Sequence, residues 1–226
     1  MNEGLYIQGI SLLDFARGPA LRWAVVVFVI GVVWRLGAML LYTRRDLSRP
    51  NAASAPGGVK TLLTRSAPPH ELEKDIVFQH YSGYAWHISM FLVLLLFTPH
   101  MLFFKGILGF GWPTLPNLFI TIFTVLTMVL LLILMVRRVT NPVLRQISTT
   151  DDYVSWFAAF LPFLTGVMSY THITFGLRYE DMLALHFLSI CFLLVWFPFS
   201  KLMHAIYIWP SRYKVGAAFA RRGVRA

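Results

Sequence analysis

The sequence predicts an all-α integral membrane protein, a bundle of five transmembrane helices that forms one domain over residues 1–226. Composition is the first reason, because 57% of the 226 residues are hydrophobic and only 13% are charged. Soluble domains contain about 45–50% apolar and about 25% charged residues. The second reason is that the apolar residues form stretches that reach the roughly 20 residues a helix needs to cross the hydrocarbon core.

Five stretches have this length, and each must be helical because unpaired backbone groups in lipid are strongly unfavourable. They cover about residues 23–42, 84–104, 118–136, 154–175 and 182–207. The fourth stretch is more polar than the others. Pro99, Pro162 and Pro198 predict kinks, since proline removes a helix hydrogen bond.

The longest connection covers residues 44–81. It begins with RPNAASAPGGVK, whose small residues and prolines are typical of a flexible connector. It continues with HELEKDIVFQHYSG, which predicts a short helix that leads into the second span. A loop of this length is either functional or a linker, so a docking surface and a plain connector both remain open.

The basic residues predict the orientation in the membrane. When alternating sides of the membrane are assigned to the loops, one side holds 15 of the 20 Lys and Arg. That side consists of residues 44–86, 137–152 and 201–226. Because positive residues stay cytoplasmic, we expect the amino terminus outside and loop 44–81 and the carboxyl terminus in the cytoplasm. The tail RRGVR then predicts a contact with lipid headgroups or a partner, and not with nucleic acid. A single cysteine, Cys191, leaves no internal disulfide and no Cys-ligated iron–sulfur cluster within this chain.

Four of the seven histidines form a group, two in the second apolar stretch and two in the fifth, and ionisable residues within such stretches are costly and usually functional. His87 and His100 are in the second stretch, and His186 and His204 are in the fifth. Because the two stretches run in opposite directions, His87 shares the inner depth with His204 and His100 shares the outer depth with His186. Two imidazole pairs, one per leaflet, are what two stacked haems require.

The spacing of these histidines can be tested against a straight helix. His186 and His204 are 18 residues apart, which puts them on one face about 27 Å apart. His87 and His100 are 13 residues apart, which gives a rise of about 20 Å and an angle of about 140°. A bend at Pro99 would correct part of this angle. His172 is the alternative outer ligand on this side.

Haem fits these sites better than a bare metal ion does. Zinc prefers four ligands that often include Cys or carboxylates, and the stretches offer no acidic residue nearby. Copper would be expected to recruit Met or Cys at close spacing. Bis-histidine haem needs two facing helices and an apolar, aromatic lining, and 15% of the residues are aromatic.

Three segments resemble a known family. The most specific is LHFLSICFLLVWFPFSKLMHAIYIWPSRY, which contains the two histidines 18 residues apart and looks like the final helix of the respiratory nitrate reductase gamma subunit family. The wider family includes the membrane cytochromes of sulfite-reduction-associated and heterodisulfide-reductase-like complexes. DFARGP before the first span and WHISMFLVLLLFTPH in the second are also similar.

The resemblance implies a five-helix cytochrome b of the bacterial cytoplasmic membrane with two haem b groups. His87 and His204 would bind the inner haem, and His100 and His186 the outer one. In the nitrate reductase branch the two ligands of the second helix are ten residues apart, and Phe97 occupies that position here. This departure argues against an orthodox nitrate reductase gamma subunit.

The family also implies electron exchange between the quinone pool and a cytoplasmic iron–sulfur partner subunit. Lys105, His172 and Tyr170 are candidates to hydrogen-bond a quinone carbonyl near the outer haem, although Lys105 is equally typical of an interfacial anchor. Arg35 is a candidate to bind a haem propionate, or else to snorkel to the inner interface.

Two other functional readings remain. The first is that the chain is a membrane anchor, which does not react with quinone and only tethers a peripheral redox enzyme. A transporter with histidine proton relays is disfavoured, because the spans lack acidic residues and the histidines pair by depth.

Overall fold

The computed structural model describes residues 5–7, 10–42, 53–67 and 73–224. It shows an all-α membrane protein. Four helical segments are long and apolar enough to cross a membrane: Leu12–Leu41, Asn117–Thr140, Thr150–Tyr170 and Tyr179–Phe199. A fifth span is counted if the bent pair Ile76–Leu96 and Thr98–Leu108 crosses as one unit.

The elements follow one another with short connections. Two short antiparallel strands, β1 (Tyr6–Ile7) and β2 (Ile10–Ser11), come first. The helices are α1 (Leu12–Phe15), α2 (Leu21–Leu41), α3 (Ser54–Thr64), α4 (Glu73–Leu96), α5 (Thr98–Leu108), α6 (Asn117–Thr140), α7 (Pro142–Ile147), α8 (Thr150–Tyr170), α9 (Tyr179–Trp196) and α10 (His204–Arg221). A π-helical turn, Ala16–Ala20, joins α1 to α2 without interruption.

The chain divides into two compact units, where the sequence predicts a single domain over 1–226. The first unit contains Met1–Trp23 and Phe78–Leu193, and the second contains Ala24–Val77 and Leu194–Ala226. The first unit therefore carries most of the apolar helices, while the second contains α3, α10 and the greater part of α2.

Polar contacts fix the helices of the first unit. The Trp156 indole of α8 donates to the Leu131 carbonyl of α6 at 2.7 Å, which places a polar group deep between two apolar helices. Arg138 at the end of α6 pairs with Asp152 at the start of α8 at 3.2 Å. Asp152 also closes a capping box with Thr149, so that this carboxylate both starts α8 and ties it to α6.

The kink predicted at Pro198 is present, but it is a full break, so the span predicted over residues 182–207 is not one helix. α9 ends at Trp196, and two 3₁₀ turns, Phe197–Phe199 and Lys201–Met203, separate it from α10. Pro198 cannot donate the next helical hydrogen bond, and Ser200 is extended, with φ −119° and ψ 177°. The calculation that put His186 and His204 on one face of a straight helix therefore does not apply.

The prediction of a flexible connector is wrong over α3, which forms a helix within the proline- and glycine-rich stretch. Pro56 lies in the first turn of that helix, where proline is tolerated. The short helix predicted for HELEKDIVFQHYSG is present as the start of α4. Residues 43–52 and 68–72 of this connection lie outside the described residues.

Candidate functional site

A break in the second span brings the predicted outer ligands together. α4 and α5 meet at an angle of 61°, with Phe97 extended at φ −79° and ψ 128° between them. Pro99 causes the break, because it has no N–H to donate to the Leu95 carbonyl. The Trp112 indole donates to that carbonyl instead, at 2.6 Å. The bend predicted from Pro99 is thus present, displaced by two residues toward the amino terminus.

The break also anchors the ring of His100. Its Nδ1 lies 3.1 Å from the Val93 carbonyl oxygen, one turn before the end of α4. A carbonyl can only accept, so we assign the ring hydrogen to Nδ1 and the lone pair to Nε2. Metal-binding histidines are commonly held in this way, with the other ring nitrogen donating to a carbonyl that fixes the tautomer and the ring orientation.

His186 of α9 is anchored by the fourth span in an equivalent way. Its Nδ1 lies 3.2 Å from the Thr165 hydroxyl of α8, and that hydroxyl is 2.8 Å from the Leu161 carbonyl. Because Thr165 donates its hydrogen to Leu161, it accepts from His186, and the lone pair of His186 is again on Nε2. Ser189 supports the same turn by donating to the His186 carbonyl at 2.7 Å.

Gly166 leaves the room that the His186 ring occupies. A Cβ at this position would lie 3.1 Å from Cε1 and 3.4 Å from Nδ1 of His186. The first of these distances is tighter than ordinary van der Waals contact, so a side chain here would press on the ring. Glycine therefore lets α8 approach the imidazole without displacing the ring.

The His100 and His186 rings lie close together with nearly parallel planes, at a separation compatible with one shared iron. The His100 and His186 ring centroids are 6.2 Å apart and their planes differ by 9°. Imidazole–metal bonds of about 2.0 Å on both sides, with each ring nitrogen roughly 1 Å from its ring centre, give roughly 6 Å. With both Nδ1 atoms donating elsewhere, the remaining nitrogens are both acceptors and cannot hydrogen-bond to each other. A metal ion between them would satisfy both.

A haem fits this donor set. Among the described residues no cluster of three or more His, Cys, Asp or Glu side chains forms a metal site, whereas a porphyrin needs only two axial ligands from the protein. One turn beyond Thr165, the Ser169 hydroxyl is buried, with 6% of the residue exposed, and has no hydrogen-bond partner. An unsatisfied buried hydroxyl is costly, and an acceptor oxygen on a bound group would satisfy it.

The three predicted quinone contacts lie in different surroundings, and one of them is close to His100. The Tyr170 ring packs edge-on against Phe97 at 5.6 Å, and Phe97 packs against His100 at 5.2 Å. Tyr170 is therefore one side chain away from the His100 ring. His172 lies beyond the end of α8 with φ 57°, and its ring is 5.0 Å from that of Tyr179. Lys105 is exposed on α5.

The predicted inner ligands lie in different units. In the first unit, Nδ1 of His87 is 2.6 Å from the Gly83 carbonyl, and the Trp86 ring is 3.7 Å from the imidazole. In the second unit, His204 is the first residue of α10 and its Nδ1 is 2.8 Å from the Lys201 carbonyl. Each ring thus has the same tautomer as the outer pair, and their pairing stays a prediction.

Arg35, the predicted propionate contact, lies beside the start of α10. Its guanidinium carbon is 5.7 Å from the centre of the Tyr207 ring, and its carbonyl accepts the Tyr207 hydroxyl at 2.9 Å. Tyr207 follows His204 by three residues, so the two share a helix face. Arg35 therefore lies near the predicted inner ligand within the second unit.

Sequence reasoning missed the contribution of the fourth span to the outer site. Thr165, Gly166 and Ser169 provide an acceptor, a gap and a buried hydroxyl along one side of α8. The available signal was their spacing, because Ser169 is four residues from Thr165 and three from Gly166, and residues three or four apart are neighbours on a helix. Small polar residues at that spacing in the most polar span indicate a packed face.

Comparison with known proteins adds one distant relative. The chain is 26% identical over 216 residues to a protein of Nitratidesulfovibrio vulgaris (strain Hildenborough), and the alignment covers 92% of this chain and 94% of that protein. The name of that relative states no function. No family model matches the chain, and no solved structure matches it.

Proposed function

We propose that this chain is a membrane cytochrome b whose outer haem is bound by His100 and His186. The observation that carries the proposal is their near-parallel pairing at 6.2 Å, with both Nδ1 atoms held by acceptors. Bis-imidazole ligation requires two such rings on opposite sides of one iron. The pair comes from two different apolar helices, α5 and α9, as a membrane haem site requires.

A second haem b is proposed on the ligands that the sequence predicts, His87 and His204. Each of the two residues makes its Nδ1–carbonyl contact with its own stretch of chain, which supports each of them separately as a ligand. Arg35 would bind a propionate of this haem, which is supported by its position beside Tyr207. The Ser169 hydroxyl would donate to an acceptor oxygen of the outer haem.

The proposed role is electron exchange between the membrane quinone pool and a cytoplasmic iron–sulfur subunit. A bound haem would supply one-electron chemistry between ferric and ferrous iron. The protein would contribute the orientation of both imidazoles through Val93 and Thr165. Oxidation of a quinol releases two electrons and two protons, and release near the outer haem would leave the protons outside.

Tyr170 is the quinone contact best supported by position. Its ring lies one side chain from His100, through Phe97, and 46% of the residue is exposed and so open to a ligand from the lipid. A phenol can donate to the quinone carbonyl oxygen. Lys105 and His172 remain proposed contacts whose support is the resemblance to the family.

The proposed setting is the bacterial cytoplasmic membrane, with the amino terminus outside and the carboxyl terminus in the cytoplasm. The uneven distribution of Lys and Arg supports this orientation. The bacterial relative, which matches almost the whole chain, supports the setting.

Quinol reduction of the oxidised protein tests this function against the anchor alternative. A short-chain quinol added to the purified chain should reduce the haem, which is followed by its visible absorption. We expect Tyr170→Phe to slow this reduction about five- to tenfold, since it removes a hydrogen bond worth about 1–1.5 kcal/mol. Tyr179→Phe is the matched control and should keep the wild-type rate. A haem-loaded protein that the quinol leaves oxidised would be an anchor.

A further inference from the structure

The second unit contains a tightly packed helical hairpin, formed by α3 and α10 and here called the basic hairpin. Small residues allow the close approach: a Cβ on Gly57 would overlap Ala220, and a Cβ on Gly216 would overlap Thr61. The helices run antiparallel, because Ser54 at the start of α3 donates to the Ala217 carbonyl near the end of α10 at 3.2 Å, while Arg212 in the first half of α10 donates to Ser66 just after α3 at 3.4 Å. Small residues four apart on both helices are typical of close helix pairs in membrane proteins.

The basic hairpin carries positive charge without any internal compensation. Residues 53–67 and 204–224 contain six cations and no Asp or Glu. The cations are Lys60, Arg65, Arg212, Lys214, Arg221 and Arg222. Such an excess creates a positive field over the whole element, whichever individual side chains make local contacts. The partner of this surface must therefore be anionic.

An apolar strip, exposed at Val215 and Phe219 and half-buried at Ile208, lies on α10 among these cations. The strip consists of Ile208, Val215 and Phe219. Val215 follows Ile208 by seven residues and Phe219 follows Val215 by four, which places all three within about 40° of one another around the helix. Val215 is 47% exposed and Phe219 is 40% exposed. Arg212 and Arg222 are three positions from members of the strip and flank it. Apolar side chains flanked by cations are typical of helices that lie in the membrane interface.

The position of α10 favours lipid over a protein or nucleic acid as the anionic partner. Within the same unit, the Tyr207 hydroxyl near the start of α10 donates to the Arg35 carbonyl of the membrane-spanning α2. Arg35 lies six residues, or about 9 Å, before the end of α2. α10 therefore begins beside the last turns of a span, at the depth where headgroups meet the hydrocarbon. Among the described helices, α10 is not one of those that are long and apolar enough to cross a membrane.

We propose that the basic hairpin lies along the membrane surface and binds the headgroups of anionic phospholipids. Val215 and Phe219 would enter the boundary between headgroups and acyl chains, while the cations contact lipid phosphates. Attraction of this kind is selective for anionic lipids and is weakened by salt. The proposal does not depend on haem or quinone binding, so the two can fail separately.

Hydrogen–deuterium exchange of the full-length protein in nanodiscs tests the proposal. Amides of residues 204–224 should exchange at least fivefold more slowly in discs with 30% phosphatidylglycerol than in discs of phosphatidylcholine alone. The difference should shrink when NaCl is raised to 0.5 M. Equal exchange in both lipids would overturn the proposal, as would protection that appears only when an acidic partner protein is added.

Two variants separate the electrostatic and apolar contributions. The triple variant Lys60→Gln, Arg65→Gln, Lys214→Gln should lose most of the phosphatidylglycerol dependence. The double variant Val215→Ser, Phe219→Ser should exchange faster in both lipids. The control Arg22→Gln, Arg145→Gln, Arg178→Gln removes three cations outside the basic hairpin and should behave like the wild type. A control that loses the lipid dependence as completely as the triple variant would contradict the assignment.

Discussion

Replacing His186 by phenylalanine is expected to remove the outer haem, so that the haem bound per chain falls by half. The imidazole provides one of two axial bonds, and phenylalanine has a ring of similar size that cannot ligate iron. The ring would still pack against Phe187 and α8, so the helices should keep their arrangement. Haem content is measured by pyridine haemochrome absorbance on protein that elutes as a single species.

The matched control for this prediction is His172→Phe. His172 was the alternative outer ligand, but its ring lies beside Tyr179 and beyond the end of α8. His172→Phe should therefore keep the full haem content. If His172→Phe lost the outer haem and His186→Phe kept it, His172 and not His186 would be the outer ligand.

Replacing Gly216 by leucine is expected to separate α3 from α10. Its Cβ alone would overlap the Thr61 side chain and the Gly57 carbonyl, and overpacking of this kind costs about 1–3 kcal/mol. Lys60 in α3 and Arg65 directly after it are trypsin sites, so cleavage there should become about tenfold faster, in line with about 1.4 kcal/mol. The measurement is the rate of limited trypsinolysis, with fragments identified by mass.

Gly106→Leu is the control, because nothing lies within 4 Å of a Cβ at that position. It should leave cleavage after Lys60 and Arg65 at the wild-type rate. Unchanged cleavage in Gly216→Leu would mean that the two helices do not depend on this close contact.

Hydropathy was sufficient to predict the helical membrane class, because length and apolar content alone decide whether a helix can cross lipid. The positions of the helix breaks were harder to predict. Pro99 indicated a bend, yet the extended residue is Phe97, since the carbonyls that a proline leaves without donors lie before it in the chain. Pro162, by contrast, is accommodated inside an unbroken α8.

The fifth stretch shows why composition cannot predict continuity. Residues 182–207 are apolar throughout, but Pro198 and the extended Ser200 end the helix before His204. Geometry calculated for a straight helix could not include this interruption. The pairing of histidines by depth does not require a straight helix. The His100 and His186 rings lie 6.2 Å apart, and the pairing of His87 with His204 stays a prediction.

The basic hairpin was missed because glycine was read only as a source of flexibility. In α3, Gly57 and Gly58 are instead positions where the neighbouring helix comes too close for a side chain. A local pattern cannot distinguish these two uses, since the deciding contact comes from residues more than 150 positions away. The Thr165–Gly166–Ser169 face of α8 was missed for the same reason, because its contacts are with α9.

The most direct test of the central claim is the haem stoichiometry of the purified full-length chain. Dithionite-reduced minus oxidised spectra, with haem quantified against protein mass, should show low-spin b-type haem at close to two per chain. Well-folded protein that is produced with sufficient haem and binds none would contradict the account.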